Sequence, residues 1–158
     1  MRGNERVRRR MTSTIHASAV LVGPKAVLIR GPSGSGKSRL AWDLIEAGAI
    51  GALPIARLIA DDRAYVAAYG GRLLVRPPNE LAGQIEVRGL GLRRLPHEAV
   101  AAVGLVVDLA AADAGRMPSR ESGIVEIAGV RLARIPVAAG APALPLVLAC
   151  LNAGPAAD

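Results

Sequence analysis

Lys25-Ala26-Val27-Leu28-Ile29-Arg30-Gly31-Pro32-Ser33-Gly34-Ser35-Gly36-Lys37-Ser38 is the stretch whose reading decides the fold. Its last eight residues fit the pattern G-x-x-x-x-G-K-[ST] at every position. An apolar, β-branched run precedes the glycines. After them Leu40, Ala41, Leu44, Ile45 and Ala47 recur at helical spacing, and Gly48 reads as the stop of that helix. A bare Gly/Ser surface turn would not need a strand on one side and an amphipathic helix on the other. A strand, a glycine-rich turn and a helix N-terminus in that order form a cradle for phosphate. The glycines let successive N–H groups face the oxygens, and the helix end adds partial positive charge. On this reading Gly31, Pro32, Ser33, Gly34, Ser35, Gly36, Lys37 and Ser38 bind a nucleotide. Lys37 reaches the outer phosphates and the Ser38 hydroxyl is a Mg2+ ligand.

Outward from the loop, the apolar runs 19–22 and 25–30 flank Gly23-Pro24 and predict a hairpin. Further strands are expected at 56–60, 64–68, 72–75, 85–88, 103–108, 124–127 and 130–135. A helical turn is expected to open the segment 98–103. The Gly- and Pro-bearing stretch 112–123 reads as a loop, and a helix over 144–153 closes the chain, with Pro145 in its first turn. Strands outnumber helices, so the expectation is an α/β P-loop nucleotide-binding fold with a mixed β-sheet and few covering helices. The chain has no Phe, one Trp and two Tyr. Packing therefore falls to Ala, Val, Leu and Ile, which fill a sheet covered by helices better than an aromatic-centred sandwich.

The 158 residues suit one domain. Residues 1–13 read as a basic, disordered tail, with Arg2, Arg6, Arg8, Arg9 and Arg10 close together, and residues 14–158 as a single catalytic domain. The tail has no interleaved aromatic residues for base stacking, so nucleic acid is not expected as a partner. The net charge of +7 favours anionic ligands and acidic protein partners. Cys150 is alone, which excludes an internal disulfide, and its apolar neighbours predict an inert buried thiol. No apolar run is long enough for a membrane span, and no apolar signal core follows the basic residues, so a cytoplasmic location is expected.

A phosphate loop needs carboxylates for the metal and, in a kinase, for the proton of the attacking hydroxyl. Two apolar runs end in Asp: 58–62, closing on Asp61-Asp62, and 105–108, closing on Asp108. The pair is the stronger candidate, because adjacent strand residues face opposite ways and can divide the work. One can face the metal while the other faces the substrate, and Asp61 is counted with Ser38 among the candidate metal ligands. Asp108 reads as a strand-end or capping residue.

Taken together, His16-Ala17-Ser18-Ala19-Val20-Leu21-Val22, the phosphate loop, Ala60-Asp61-Asp62 and Ile85-Glu86-Val87-Arg88-Gly89-Leu90-Gly91 come in a distinctive order. Over about residues 14–153 the chain resembles the catalytic domain of HPr kinase/phosphorylase, which adds phosphate to a serine of the phosphocarrier HPr and removes it. The resemblance implies a fold like that of phosphoenolpyruvate carboxykinase, ATP and Mg2+ as cofactors, HPr as partner and a hexameric assembly. It assigns Asp62 as the proton acceptor in the kinase direction and as the activator of phosphate in reverse. Glu86 joins Ser38 on Mg2+, His16 is the active-site histidine, and Arg116 is the catalytic arginine, with Arg120 as its alternative.

Three departures accompany the resemblance. The family's additional N-terminal domain has no counterpart here, which implies a short form. The segment 48–59 is longer than the usual link to the paired Asp. Pro136-Val137-Ala138-Ala139-Gly140-Ala141 lacks the arginine expected at its last position, a residue tied to dephosphorylation. A small-molecule P-loop kinase is the first alternative, although 112–123 is short for a lid and carries only two arginines. A nucleotide-binding switch without phosphotransfer is the second.

Overall fold

The computed structural model describes residues 13–154 and 156; the tail expected at 1–13 therefore lies, except for Ser13, outside the described residues. The predicted hairpin forms, and its first strand is longer than its apolar run. Strand β1 (Thr14–Val22) turns at Gly23, whose φ is +60°, into β2 (Lys25–Arg30). Helix α1 (Lys37–Ala49) follows the phosphate-loop motif, then β3 (Ala56–Ala60), β4 (Arg63–Tyr69) and β5 (Arg72–Arg76). A short 3-10 turn (Asn79–Leu81) leads into the hairpin β6 (Gln84–Val87) and β7 (Gly91–Arg94). Strands β8 (Ala101–Asp108), β9 (Ile124–Ile127) and β10 (Val130–Pro136) and helix α2 (Ala143–Asn152) complete the chain.

The sheet is mixed, as expected, with eight strands, and the described residues include two α-helices. Across one layer the order is β3-β1-β2-β8-β10-β9, with β2–β8 and β8–β10 parallel and the other pairs antiparallel. A second path runs β1-β4-β5-β8. Because β2 also pairs with β8, the strands β1, β2, β8, β5 and β4 close into a ring. Ala17, Ala19, Ala26, Leu28, Ala64, Leu73, Val75 and Val106 belong to a buried cluster drawn from these ring strands. Their small volume suits a narrow ring, which is where the shortage of aromatic residues tells. The opposite face of β1, β2 and β8 presents Val20, Val27, Ile29, Leu105 and Val107 to α1 and α2. A bulge at Gly104 lets β8 serve both: Ala26 pairs with Val103, but Val27 pairs with Leu105.

Three expectations at the level of elements need correction. Helix α1 does not stop at Gly48. It ends in a Schellman motif in which Gly51 has φ +81°, Ala52 N donates to Ala47 O at 2.8 Å and Gly51 N to Gly48 O at 3.2 Å. Residues 98–100 form no helical turn, because Glu98 N donates to Leu58 O at 2.9 Å and its carboxylate meets Arg57 at 3.1 Å, docking the segment on β3. Cys150 is exposed rather than buried. Val147 is the only α2 residue fully enclosed, so an apolar helix at the edge of the fold leaves most of its surface in water.

Candidate active site

The site is assembled where β2 and β3 end and the antiparallel β1 begins, beside the N-terminus of α1. Arg30 O accepts from Leu109 N at 2.8 Å, so the end of β2 is tied to the residue after β8, and the loop starts from a fixed point. At Gly31 a Cβ would stand 3.0 Å from Leu109 Cβ and 2.5 Å from Ser35 Oγ, so only glycine lets the loop fold back this tightly. Gly34 and Gly36 have φ of +78° and +100°, and a Cβ at either would meet nothing. Those two are glycine for backbone conformation, not for space inside the protein. Lys37 is buried, and its ammonium donates to Gly31 O at 2.9 Å and Pro32 O at 3.1 Å. Its third N–H remains for a ligand.

Asp61 is the electrostatic centre. It is buried, and Oδ1 accepts from Ser18 Oγ at 2.9 Å and from Ser38 Oγ at 2.7 Å, while Oδ2 accepts from Glu86 N at 3.0 Å. One carboxylate thus ties β1, the phosphate loop, β3 and β6 together. Asp62 points elsewhere, though not through strand alternation. Arg63 N donates to Asp61 O at 2.8 Å and Asp62 has φ +65°, which makes Asp62 the centre of a γ-turn, a rare and strained conformation for a residue with a Cβ. Two bonds hold that turn: Asp62 N donates to Ser18 Oγ at 3.1 Å and Asp62 O accepts from Ala17 N at 3.1 Å. The exposed Asp62 carboxylate lies 3.6 Å from His16 Nδ1.

Lys37, Ser38, Asp62, Glu86 and Arg88 line one cleft of about 600 Å³, together with Trp42 and Asp43 of α1. His16 borders it through Asp62. Arg116 and Arg120 are exposed on the loop after β8 and do not line it. Asp108, read as a strand-end residue, is structural. Arg30 donates to it at 2.7 and 2.8 Å and Arg134 at 2.5 Å, and Arg134 also holds Asp113 at 2.7 Å and Ser122 O at 2.9 Å. Burial alone would raise the Asp108 pKa, but hydrogen bonds and charge from Arg30 and Arg134 outweigh it and hold the carboxyl below its ordinary value. Asp113 is lowered chiefly by its hydrogen bond to Arg134.

Among the described residues no three His, Cys, Asp or Glu side chains converge on a metal position. The donors that do converge are hard oxygens, a hydroxyl and carboxylates. That set fits Mg2+, which takes one or two carboxylates and completes its shell with phosphate oxygens and water.

Residues 9–147 match the family described as HPr Serine kinase C-terminal domain. The chain belongs to that family. An HPr kinase/phosphorylase of Chloroherpeton thalassium is 34% identical over 140 residues, covering 79% of this chain and 38% of the relative. One from Mycoplasmopsis pulmonis is 38% identical over 78 residues, 49% of this chain and 23% of the relative. Another, from Clostridium tetani, is 38% identical over 82 residues. The matched stretch thus spans about a quarter of the length of the first relatives, 23% and 25% in these two. A solved structure, the Hpr(Ser) kinase/phosphatase from Coxiella burnetii, superposes with a TM-score of 0.68 at 23% identity, over 89% of this chain and 94% of that one. That likeness extends the family assignment to the mixed α/β fold. Among the described residues no helix is long and apolar enough to cross a membrane.

Ser18 is the site residue that the sequence did not single out. In the run Ala17-Ser18-Ala19 it looks like a small polar residue on one face of a strand. Only the return of Asp61 and Asp62 beside it gives the hydroxyl its two partners.

Proposed function

We propose that this chain is a cytoplasmic protein serine kinase that transfers phosphate from ATP, with Mg2+, to a serine of the phosphocarrier HPr. The observation that carries this reading is the division between the paired carboxylates. Asp61 is buried and committed to Ser18, Ser38 and Glu86 N, whereas Asp62 is turned out into the cleft that Lys37 and Ser38 share. The family and the names of its relatives support HPr as the acceptor.

The loop N–H groups and Lys37 bind the phosphates. Ser38 donates its proton to Asp61, so its lone pairs remain for Mg2+, which Glu86 would also hold. Asp61, expected among the metal ligands, accepts three hydrogen bonds, one of them from Ser38, and so holds that hydroxyl in place for the metal. When bound, Mg2+ offsets charge on the phosphates. Asp62 takes the proton of the attacking serine hydroxyl as its oxygen approaches phosphorus, and His16 steadies that carboxylate from 3.6 Å. No part of this step falls to Arg116 or Arg120, which lie outside the cleft.

The test is intact-mass analysis of HPr incubated with the protein, ATP and Mg2+. One added phosphate is expected, and Asp62→Ala should lower its rate by about 100-fold or more, the typical weight of a general base. Reversal with excess phosphate should be weak, because Ala141 stands where the resemblance expects an arginine. HPr left unmodified while ATP still binds would end the protein-kinase reading.

A further inference from the structure

The start of helix α1 carries charge of the wrong sign for a helix end standing alone. Its first turn holds two cations, Lys37 and Arg39, and no acidic residue. A helix N-terminus is itself partly positive, so cations there are unfavourable unless an anion lies against them. Lys37 belongs to the phosphate loop, but Arg39 has no such place. Its side chain is 81% exposed, and its partner is Asp43, one turn further along. That contact is slight. Only Nε takes part, at 3.3 Å from each carboxylate oxygen. An acidic residue four positions before a basic one pairs better than the order found here. Both terminal nitrogens of the guanidinium are left without an acceptor among the described residues.

Position decides what those nitrogens can reach. Arg39 follows Ser38 directly, and it lines both the cleft that holds Asp62 and a smaller groove of about 270 Å³. Gly36 is likewise shared, so the two cavities meet at the phosphate loop and Arg39 borders both. We propose that Arg39 exchanges Asp43 for the phosphates when a nucleotide binds, its terminal N–H groups donating to the triphosphate. The assignment rests on the nucleotide reading of the loop. A guanidinium is suited to it, because it can present two parallel N–H groups to phosphate oxygens. It also adds a second cationic side chain beside Lys37, where Arg116 and Arg120, outside the cleft, supply none.

Calorimetric titration with ATP and with inorganic tripolyphosphate, both with Mg2+, separates this exchange from an ion pair that merely staples the helix. Arg39→Ala should weaken both ligands by about tenfold or more, the usual weight of a charge-assisted hydrogen bond. Asp43→Asn should bind both at least as tightly as wild type, because the competing carboxylate is gone. A staple would make the two variants lose affinity alike. Equal losses therefore overturn the exchange, and so does an unchanged ATP affinity in Arg39→Ala. A loss confined to ATP also overturns it, since the contact would then be to the nucleoside. A wild-type protein that binds neither ligand defeats the phosphate-loop reading and the exchange with it. The expected pattern of affinities, found while HPr stays unmodified, would uphold the exchange and end the protein-kinase reading alone.

Discussion

At Asp62 the backbone conformation and the chemistry make opposite demands. A γ-turn with φ +65° favours glycine, yet the position carries the carboxylate that faces the cleft. Ser18 and Ala17 hold the turn from β1, so strain at one residue is sustained by hydrogen bonds from its neighbours. Asp62→Gly should therefore be more stable than Asp62→Ala by about 1 kcal/mol, because only alanine keeps the left-handed penalty. Both should be equally inactive in phosphotransfer. Urea midpoints that coincide, or an order reversed, would contradict the strain account. The paired Asp was legible in the sequence because two carboxylates closing an apolar run form a pattern. The manner of their divergence was not, because a γ-turn depends on which strand lies alongside. Arg116 marks the opposite limit: its residue type suits the chemistry, but the loop that carries it leaves it outside the cleft.

Among the elements, those with strong local patterning were placed well. The hairpin of β1 and β2, helix α1 and strand β3 agree with the apolar runs and spacing that predict them. Strand β7 gave no such signal: all four of its residues are exposed, so no alternation marks it. The end of α1 was set three residues early because Gly48 looks like a cap. Its reason for being glycine is packing. A Cβ there would stand 2.7 Å from Ala56 Cβ and 3.0 Å from Ala56 N, where β3 begins. Gly48→Ala gains up to about 1 kcal/mol of helix propensity but forces β3 off the helix, at a cost of about 1–3 kcal/mol. The net expectation is a loss of about 1–2 kcal/mol in denaturant unfolding. A stabilised variant would show that α1 and β3 can part without penalty. Because β3 delivers Asp61, the same variant should also weaken ATP binding.

For the molecule as a whole, strand count and composition were enough to predict a mixed sheet with few helices. The closed ring was not visible, because the pairings of β8 with β2 and with β5 join residues far apart in sequence. Where that ring meets the outer strands, Asp108 joins β2 to β10 through Arg30 and Arg134. Its lowered pKa sets the sign of a pH effect. The folded carboxyl titrates below the unfolded value near 3.9, so its contribution is complete above about pH 4 and is lost as pH falls through the folded pKa. Asp108→Asn should be less stable than wild type by about 3 kcal/mol at neutral pH, and the two urea midpoints should converge toward about pH 2. Parallel curves would mean that the network contributes nothing through charge. Ring closure also orders events in time. The hairpin that carries the phosphate loop needs only local contacts, but its footing at Leu109 comes about eighty residues after Arg30. A chain emerging from the ribosome can therefore bend the motif early and still hold no nucleotide until β8 has been made and inserted, so that the capacity to bind marks the closure of the ring.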